Sequence, residues 1–299
     1  MSADNLVGRT VAGYHLAKYI GEGGTATVYR GEHPERGRAA VKLLRPRLAG
    51  DPIAVKRFLR EAEYGSRVVH PNIVKTYDYG EADGLHYLAL EWAQGEPLAE
   101  FVNRSGKLAP ALVATIVEQL GGALGAAHTA GIIHRDLKPA NIMYDPASQT
   151  AKLLDFGIAR DSELSPEERL TRAGFFVGTL QYVAPETLSG ELVSEQADVY
   201  SLATIAYYLL TMEHPFTGKS PRELFQQLLT QAPVPLNQAV KGLRFPSAIE
   251  GAVMGGLERD LAKRHKKVDE FARAFCTAVR DGAGKRAGFL ASLFRKSGE

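Results

Sequence analysis

Cysteine is almost missing from this chain. Its one example, Cys276, cannot form an internal disulfide, which fits a reducing compartment. An excess of charge is missing too: a net charge of +2 over 299 residues argues for neither a nucleic acid nor an anionic membrane as partner. The opening MSADNLVGRT has no basic segment followed by an apolar run, so no secretory signal is expected. The longest apolar run, Val199 to Met212, is broken by Ser201 and Thr204 and is too short for a bilayer, so it reads as a buried core helix and no transmembrane segment is expected. No His/Cys spacing suggests zinc, and there is no internal repeat or low-complexity tract. What is there is ordinary globular material, 45% hydrophobic and 23% charged, in a length that suits two lobes sharing a cleft.

The first 90 or so residues read as strands. Tyr14 to Ile20, Thr27 to His33 and Arg38 to Leu44 are β-type runs separated by Gly-rich or Pro-containing turns. Asp51-Pro52 opens a helix, with Asp as N-cap and Pro in the first turn, and Val55, Phe58, Leu59 and Ala62 follow at helical spacing. Two more strands are expected over Ile73 to Tyr79 and His86 to Glu91. Beyond Gly95 the pattern turns helical. Ala109-Pro110 leads into an apolar-periodic run ending near Gly131, which Gly121, Gly122 and Gly125 weaken by up to about 1 kcal/mol each, so packing must support it. A helix over Asp198 to Met212 is apolar all round and hence central. Val268, Phe271, Phe275 and Val279 form one face of a last helix, with Cys276 beside it as a core filler. The expected class is α+β: a β-rich N-terminal lobe with one main helix, then a mainly helical lobe.

The chemistry concentrates in His134-Arg135-Asp136-Leu137-Lys138-Pro139-Ala140-Asn141. An acid, a cation and an amide within one short loop are what an ion-assisted phosphoryl transfer needs. Asp136 can accept a proton from an attacking hydroxyl, Lys138 can neutralise charge on the moving group, and Asn141 can hold magnesium through its side-chain oxygen. Lys152-Leu153-Leu154 is a short strand ended by Asp155-Phe156-Gly157, whose carboxylate can reach a metal bridging two phosphates. Between two strands lies Gly21-Glu22-Gly23-Gly24-Thr25-Ala26-Thr27-Val28. Its glycines let backbone approach phosphates closely, and the absence of a following helix argues against a dinucleotide-binding turn. Lys42, inside the apolar strand Ala40-Val41-Lys42, needs a partner, and Glu61 at the edge of the helical stripe can supply it.

These motifs, in this order, resemble the eukaryotic-like (Hanks-type) protein kinases, and most of all the bacterial Ser/Thr protein kinases; the resemblance spans roughly residues 14 to 279. The glycine loop departs from the family pattern at Ala26, which adds one methyl group where the third glycine is expected. The resemblance implies a bilobal kinase fold, with an N-lobe over about 14–91, a hinge over 92–95, a C-lobe over 96–279, an N-terminal extension over 1–13 and a basic tail over 280–299. It implies ATP with Mg2+, or Mn2+ in its place, at residues 20–24 (Ile20, Gly21, Glu22, Gly23 and Gly24), with Lys42 and Glu61 on the phosphates. The backbone of Glu91 and Ala93 would meet the adenine, and Ile20, Val28, Ala40, Leu90 and Met143 would enclose it. Asn141 and Asp155 would hold metal. Glu186, in Ala184-Pro185-Glu186, would pair with Arg264, and Asp198 would brace the catalytic loop.

Lys138 two residues after Asp136, and Gly178-Thr179 upstream of Tyr182, match the Ser/Thr rather than the Tyr branch. Arg135 is the family position that receives a phosphorylated residue of the activation segment, which here spans Asp155 to Glu186 and holds Ser162, Ser165, Thr171 and Thr179. Thr171 is the expected autophosphorylation site, with a homodimer as one route to that reaction. Protein substrates with Ser or Thr acceptors are expected, in the cytoplasm, either alone or as the cytoplasmic portion of a longer membrane protein. The alternatives are a pseudokinase scaffold, which usually lacks one of Lys42, Asp136 or Asp155, and a small-molecule kinase of the same fold. The tail, Gly282 to Glu299, has basic ends around Phe289, Leu290, Leu293 and Phe294. It reads as a short amphipathic helix or a mobile tether.

Overall fold

The computed structural model describes residues 6–154, 180–189 and 193–296, with 284–296 as backbone only. The N-terminal sheet is built from β1 (Thr10–Val11), β2 (Tyr14–Glu22), β3 (Ala26–His33), β4 (Gly37–Leu44), β5 (Thr76–Ala82) and β6 (Leu85–Glu91), all antiparallel in the order β1-β2-β3-β4-β6-β5. Strand alternation sorts its side chains into two layers. Ala39, Val41 and Leu43 pack with Tyr14, Leu16, Tyr29 and Ala89 on the outer face. Ala40 and Leu44 pack on the other face with Leu88, Leu90 and, from helix α1 (Pro52–Arg67), Phe58 and Ala62. Lys42 lies between Ala40 and Leu44 and shares their face. α1 starts where the sequence places it: the Asp51 side chain accepts from Ile53 N at 2.9 Å, with Pro52 in the first turn.

The second lobe contains α2 (Leu98–Ser105), α3 (Pro110–Thr129), α4 (Pro185–Ser189), α5 (Gln196–Thr211), α6 (Pro221–Thr230), α7 (Ser247–Gly256) and α8 (Val268–Lys296). A small antiparallel sheet, β7 (Glu96–Pro97), β8 (Ile142–Asp145) and β9 (Thr150–Leu153), carries the loop before it. In α5 every residue but Gln196 and Tyr208 is buried. The hydroxyls that interrupt its apolar run donate to carbonyls one turn back, Ser201 to Ala197 O at 3.0 Å and Thr204 to Tyr200 O at 2.9 Å, so their burial leaves no polar group stranded.

Two expectations change. The strand expected from Ile73 begins at Thr76. Ile73 bridges Leu153 instead, Val74 N donates to Leu153 O at 2.8 Å, and Leu153 N donates to Asn72 O at 2.9 Å. Those backbone groups are therefore committed to β9 and tie the two lobes together. Residues 10–11, assigned to an N-terminal extension, form β1, and Val11 is fully buried in the outer layer. The stretch expected as a short helix or a tether from about 280 is helical as far as Lys296, as a continuation of α8 from Val268. Its expected face is confirmed, with Val268, Phe271, Phe275 and Val279 all buried, and Cys276 Sγ lies 3.4 Å from Ala114 O. Burial pushes that thiol up to about 11, as befits a packing group. α3 is long and apolar enough to cross a membrane by composition, but Val113, Ile116, Leu120 and Leu124 are spent in the core.

The glycines of α3 have different roles. A Cβ on Gly121 would come within 2.7 Å of Ala272 Cβ on α8, whereas one on Gly125 would meet nothing within 4 Å. Gly121→Ala is therefore expected to destabilise by about 1–3 kcal/mol through overpacking. Gly125→Ala is expected to stabilise by roughly 0.5–1 kcal/mol through helix propensity. Urea unfolding of the two variants checks the opposite signs, and equal effects would remove the close helix contact as the cause.

Candidate active site

Asp198, fully buried near the start of α5, organises the loop that carries Asp136. Its Oδ2 accepts from His134 N at 2.8 Å and its Oδ1 from Arg135 N at 3.0 Å, while His128 Nε2 on α3 donates to Oδ2 at 2.8 Å. Burial alone would raise the carboxyl pKa. The bond from His128, the nearby His134 and the amides outweigh it, so the group is held below its ordinary value and stays ionised. Arg135 has a φ of 64°, a left-handed conformation that costs a non-glycine residue energy, and the two amide bonds to Asp198 hold the chain there. His134 is fully buried, and its Nδ1 accepts from Asp136 N at 3.3 Å, so it supports the loop's shape.

The three side chains singled out in the loop come together. Lys138 Nζ lies 3.0 Å from Asp136 Oδ2, and Asn141 Nδ2 donates to Asp136 Oδ2 at 3.1 Å and to Asp136 O at 2.9 Å. With its Nδ2 used in this way, the Asn141 side-chain oxygen meets no donor among the described residues and can be offered to a cation. Asn141 O accepts from Leu154 N at 3.0 Å, which draws the end of β9 alongside the loop. Leu154 is the last described residue before Asp155. Asp155, Thr171 and Thr179 lie outside the described residues.

Lys42 Nζ reaches Glu61 Oε1 at 3.3 Å, with both side chains largely buried. Leu154 links this pair to the loop. It packs in the same apolar cluster as Ala40, Leu90 and Ala93, on the sheet face that carries Lys42, while its amide holds Asn141. Of the expected apolar enclosure, Leu90 is buried, Val28, Ala40, Ala93 and Met143 are half-buried, and Ile20 is 47% exposed. Gly21 is paired with Val28 near the end of β2, Gly23, Gly24 and Thr25 form the turn to β3, and Glu22 pairs with Arg45. Glu91 N donates to Lys75 O at 2.8 Å, so its amide is already committed. Its carboxylate is also engaged, by Lys152 and by Lys75 N. Gly95 at the hinge has φ +91° and passes so near Tyr144 that a Cβ would sit 2.1 Å from its carbonyl oxygen; only glycine fits there.

Glu186 and Arg264 pair in the core with two contacts, 2.6 and 3.1 Å. Arg264 also donates to Gln196 O at 2.9 Å and Glu258 O at 2.7 Å. Sequence reasoning did not single out His128 or Lys152. A lone histidine in an amphipathic helix and a lysine on a short strand give no local sign of the distant carboxylates they meet.

A family model described as a protein kinase domain matches residues 14–277. The serine/threonine-protein kinase pkn3 of Myxococcus xanthus is 36% identical over 311 aligned positions, covering 98% of this chain and 57% of that protein. The chain spans about half the length of the curated relatives it matches. Among solved structures, the PknI kinase domain of Mycobacterium tuberculosis superimposes with a TM-score of 0.70 at 30% identity, covering 91% of this chain and 98% of that one. Rad53, crystallised with AMP-PNP, superimposes with a TM-score of 0.71 at 26% identity, covering 88% of this chain and 65% of that one.

Proposed function

The chain belongs to the protein kinase family, and from that premise we propose that it transfers the γ-phosphoryl group of ATP to serine or threonine hydroxyls of proteins. The observation that carries this reading is the meeting of Lys138 and Asn141 on Asp136, each within 3.1 Å of its Oδ2, beside a cleft face bearing the Lys42–Glu61 pair.

In this reading Asp136 Oδ2 accepts the proton of the attacking hydroxyl. Lys138 and Asn141 restrict the carboxylate's rotation, so its oxygen is aimed before substrate arrives. Lys138, already close to the path of the transferred group, offsets its negative charge. Lys42 holds the α- and β-phosphates, and Glu61 keeps its ammonium from wandering. The adenine lies between Ala40, Leu90, Val28 and Met143, with the Glu91 carbonyl and Ala93 amide at its polar edge. Asn141, with Asp155, would hold magnesium, which when bound neutralises phosphate charge. Arg135 would receive a phosphate on the activation segment, for which Thr171 is our choice. The cytoplasm, where ATP is abundant and a buried single thiol stays reduced, is the compartment this chemistry fits.

The test uses γ-labelled ATP, a generic basic protein and phosphoamino-acid analysis. Label on serine or threonine that disappears on chelating divalent ions supports the reading; label only on tyrosine, or none on protein, overturns it. In the same assay Thr171→Ala is expected to lower the rate of enzyme that has been allowed to autophosphorylate. An unchanged rate would remove Thr171 from the scheme.

A further inference from the structure

We propose that Arg45 and Arg47 are positioning residues that clamp the glycine turn so that its amides face the nucleotide phosphates, an inference that rests on the ATP-binding reading above. β3 and β4 pair out to Ala26 and Leu44, and Arg45 is the next residue. Its backbone N donates to Thr25 O at 2.9 Å. Its guanidinium donates to Gly23 O at 3.2 Å and pairs with Glu22 Oε1 at 2.5 Å. Arg47, in the short 3-10 turn Pro46–Leu48, donates to Gly24 O at 3.2 Å. Three successive carbonyls, those of residues 23, 24 and 25, are thus held by donors from residues 45–47.

The peptide plane turns this into a statement about the site. In a trans peptide the C=O of one residue is antiparallel to the N–H of the next. Drawing the Gly23 and Gly24 carbonyls to the arginines therefore turns the amides of Gly24 and Thr25 the other way. Strand alternation indicates which way that is. Lys42 and Leu44 share the face toward α1 and the cleft, whereas Leu43 belongs to the outer layer, and Arg45 continues Leu43's side. The arginines hold the carbonyls outside, and the amides face the side where Lys42 stands. Successive amides aimed at one point make an anion cradle.

Glycine makes such a clamp necessary. A Gly23-Gly24 turn can flip its peptide planes cheaply, and a flipped plane presents a carbonyl oxygen to a phosphate. The guanidinium-to-carbonyl bonds, strengthened by charge, favour the orientation that binds an anion. The device lies between residues more than 20 apart, on the face away from the chemistry, which is why neither arginine stands out in the sequence.

Calorimetric titration with AMP-PNP and separately with adenosine tests this, because adenosine has no phosphate for the turn to hold. For Arg45→Ala/Arg47→Ala the AMP-PNP Kd and the KM for ATP are expected to rise roughly tenfold, with kcat less affected and the adenosine Kd unchanged. Should that variant fold poorly, Arg47→Ala alone, which keeps the Glu22 pair, is expected to show the same pattern at smaller size. Equal losses for both ligands, or no loss for either, would overturn the clamp. Wild-type protein that binds neither ligand would overturn the ATP reading and the clamp with it.

Discussion

Asp136→Asn is expected to lower kcat for phosphoryl transfer by about 10³-fold, within the range usual for losing a general base, while ATP still binds. The substitution keeps the side chain's shape and its oxygen but removes the group able to take a proton. It also places an NH2 where Lys138 and Asn141 both aim donors, so the orienting bonds at 3.0 and 3.1 Å are disturbed as well. The loop's backbone should persist, because it is held by Asp198 through His134 N and Arg135 N and not by the Asp136 carboxylate. Steady-state kinetics with a serine peptide, alongside AMP-PNP titration, separates the two effects. A kcat within a few-fold of wild type would mean that the proton goes elsewhere. Loss of AMP-PNP binding would mean that Asp136 maintains the cleft and does not act on the hydroxyl.

Glu186→Ala is expected to be the most destabilising single change at a charged position. Arg264 has no solvent-exposed side-chain surface, and its guanidinium stacks 5.1 Å over the Tyr200 ring. Removing Glu186 leaves that cation buried with, among the described residues, the Gln196 and Glu258 carbonyls as neutral hydrogen-bond partners. Breaking such a pair costs about 3–5 kcal/mol, which for a chain of this size lowers Tm by roughly 10 °C. The pair also joins α4 to the segment preceding α8 and to the start of α5, so the loss should be cooperative rather than local. Replacing both charges, as Glu186→Leu/Arg264→Met, should cost less than Glu186→Ala, since no charge is then stranded. Urea unfolding of the three proteins decides it. A single-variant loss below about 1 kcal/mol would show that the pair behaves like a surface one.

Local chemistry was readable where one residue meets its near neighbours. Asp51 caps α1 because a short acid before Pro can reach the amide of Ile53, a contact between residues two apart that needs nothing else to be in place. α5 could be read as central because an apolar surface all round a helix has nowhere to go but inside. Lys42 with Glu61, and Glu186 with Arg264, were readable in a different way. The cost of a lysine inside an apolar strand and the position of Glu61 beside the helical stripe pointed to the first pair, with the order of the motifs in support, whereas the second came through resemblance alone.

What could not be read were choices between equivalent partners. Ile73 and Val74 are β-type residues that suit any strand edge, and only the approach of β9 assigns them there and not to β5. The composition of the stretch after Val279 suits a short helix or a tether, and the continuation of α8 through it to Lys296 selects the helix. Gly121 and Gly125 look alike in sequence. One is a contact surface for Ala272 and the other faces open space, a distinction set by where α8 lies.

The residue string by itself determined the periodicities, the helix starts and the inventory of reactive groups between Lys42 and Asn141, because these depend on intrinsic side-chain chemistry and on neighbours a few bonds away. The tertiary structure alone decided which distant groups meet: His128 with Asp198, Lys152 with Glu91, and Arg45 and Arg47 with the glycine turn. The reason is physical. A hydrogen bond or a close packing contact depends on separations of a few tenths of an ångström, and the chain reaches that accuracy between remote residues only when the whole core has closed around them.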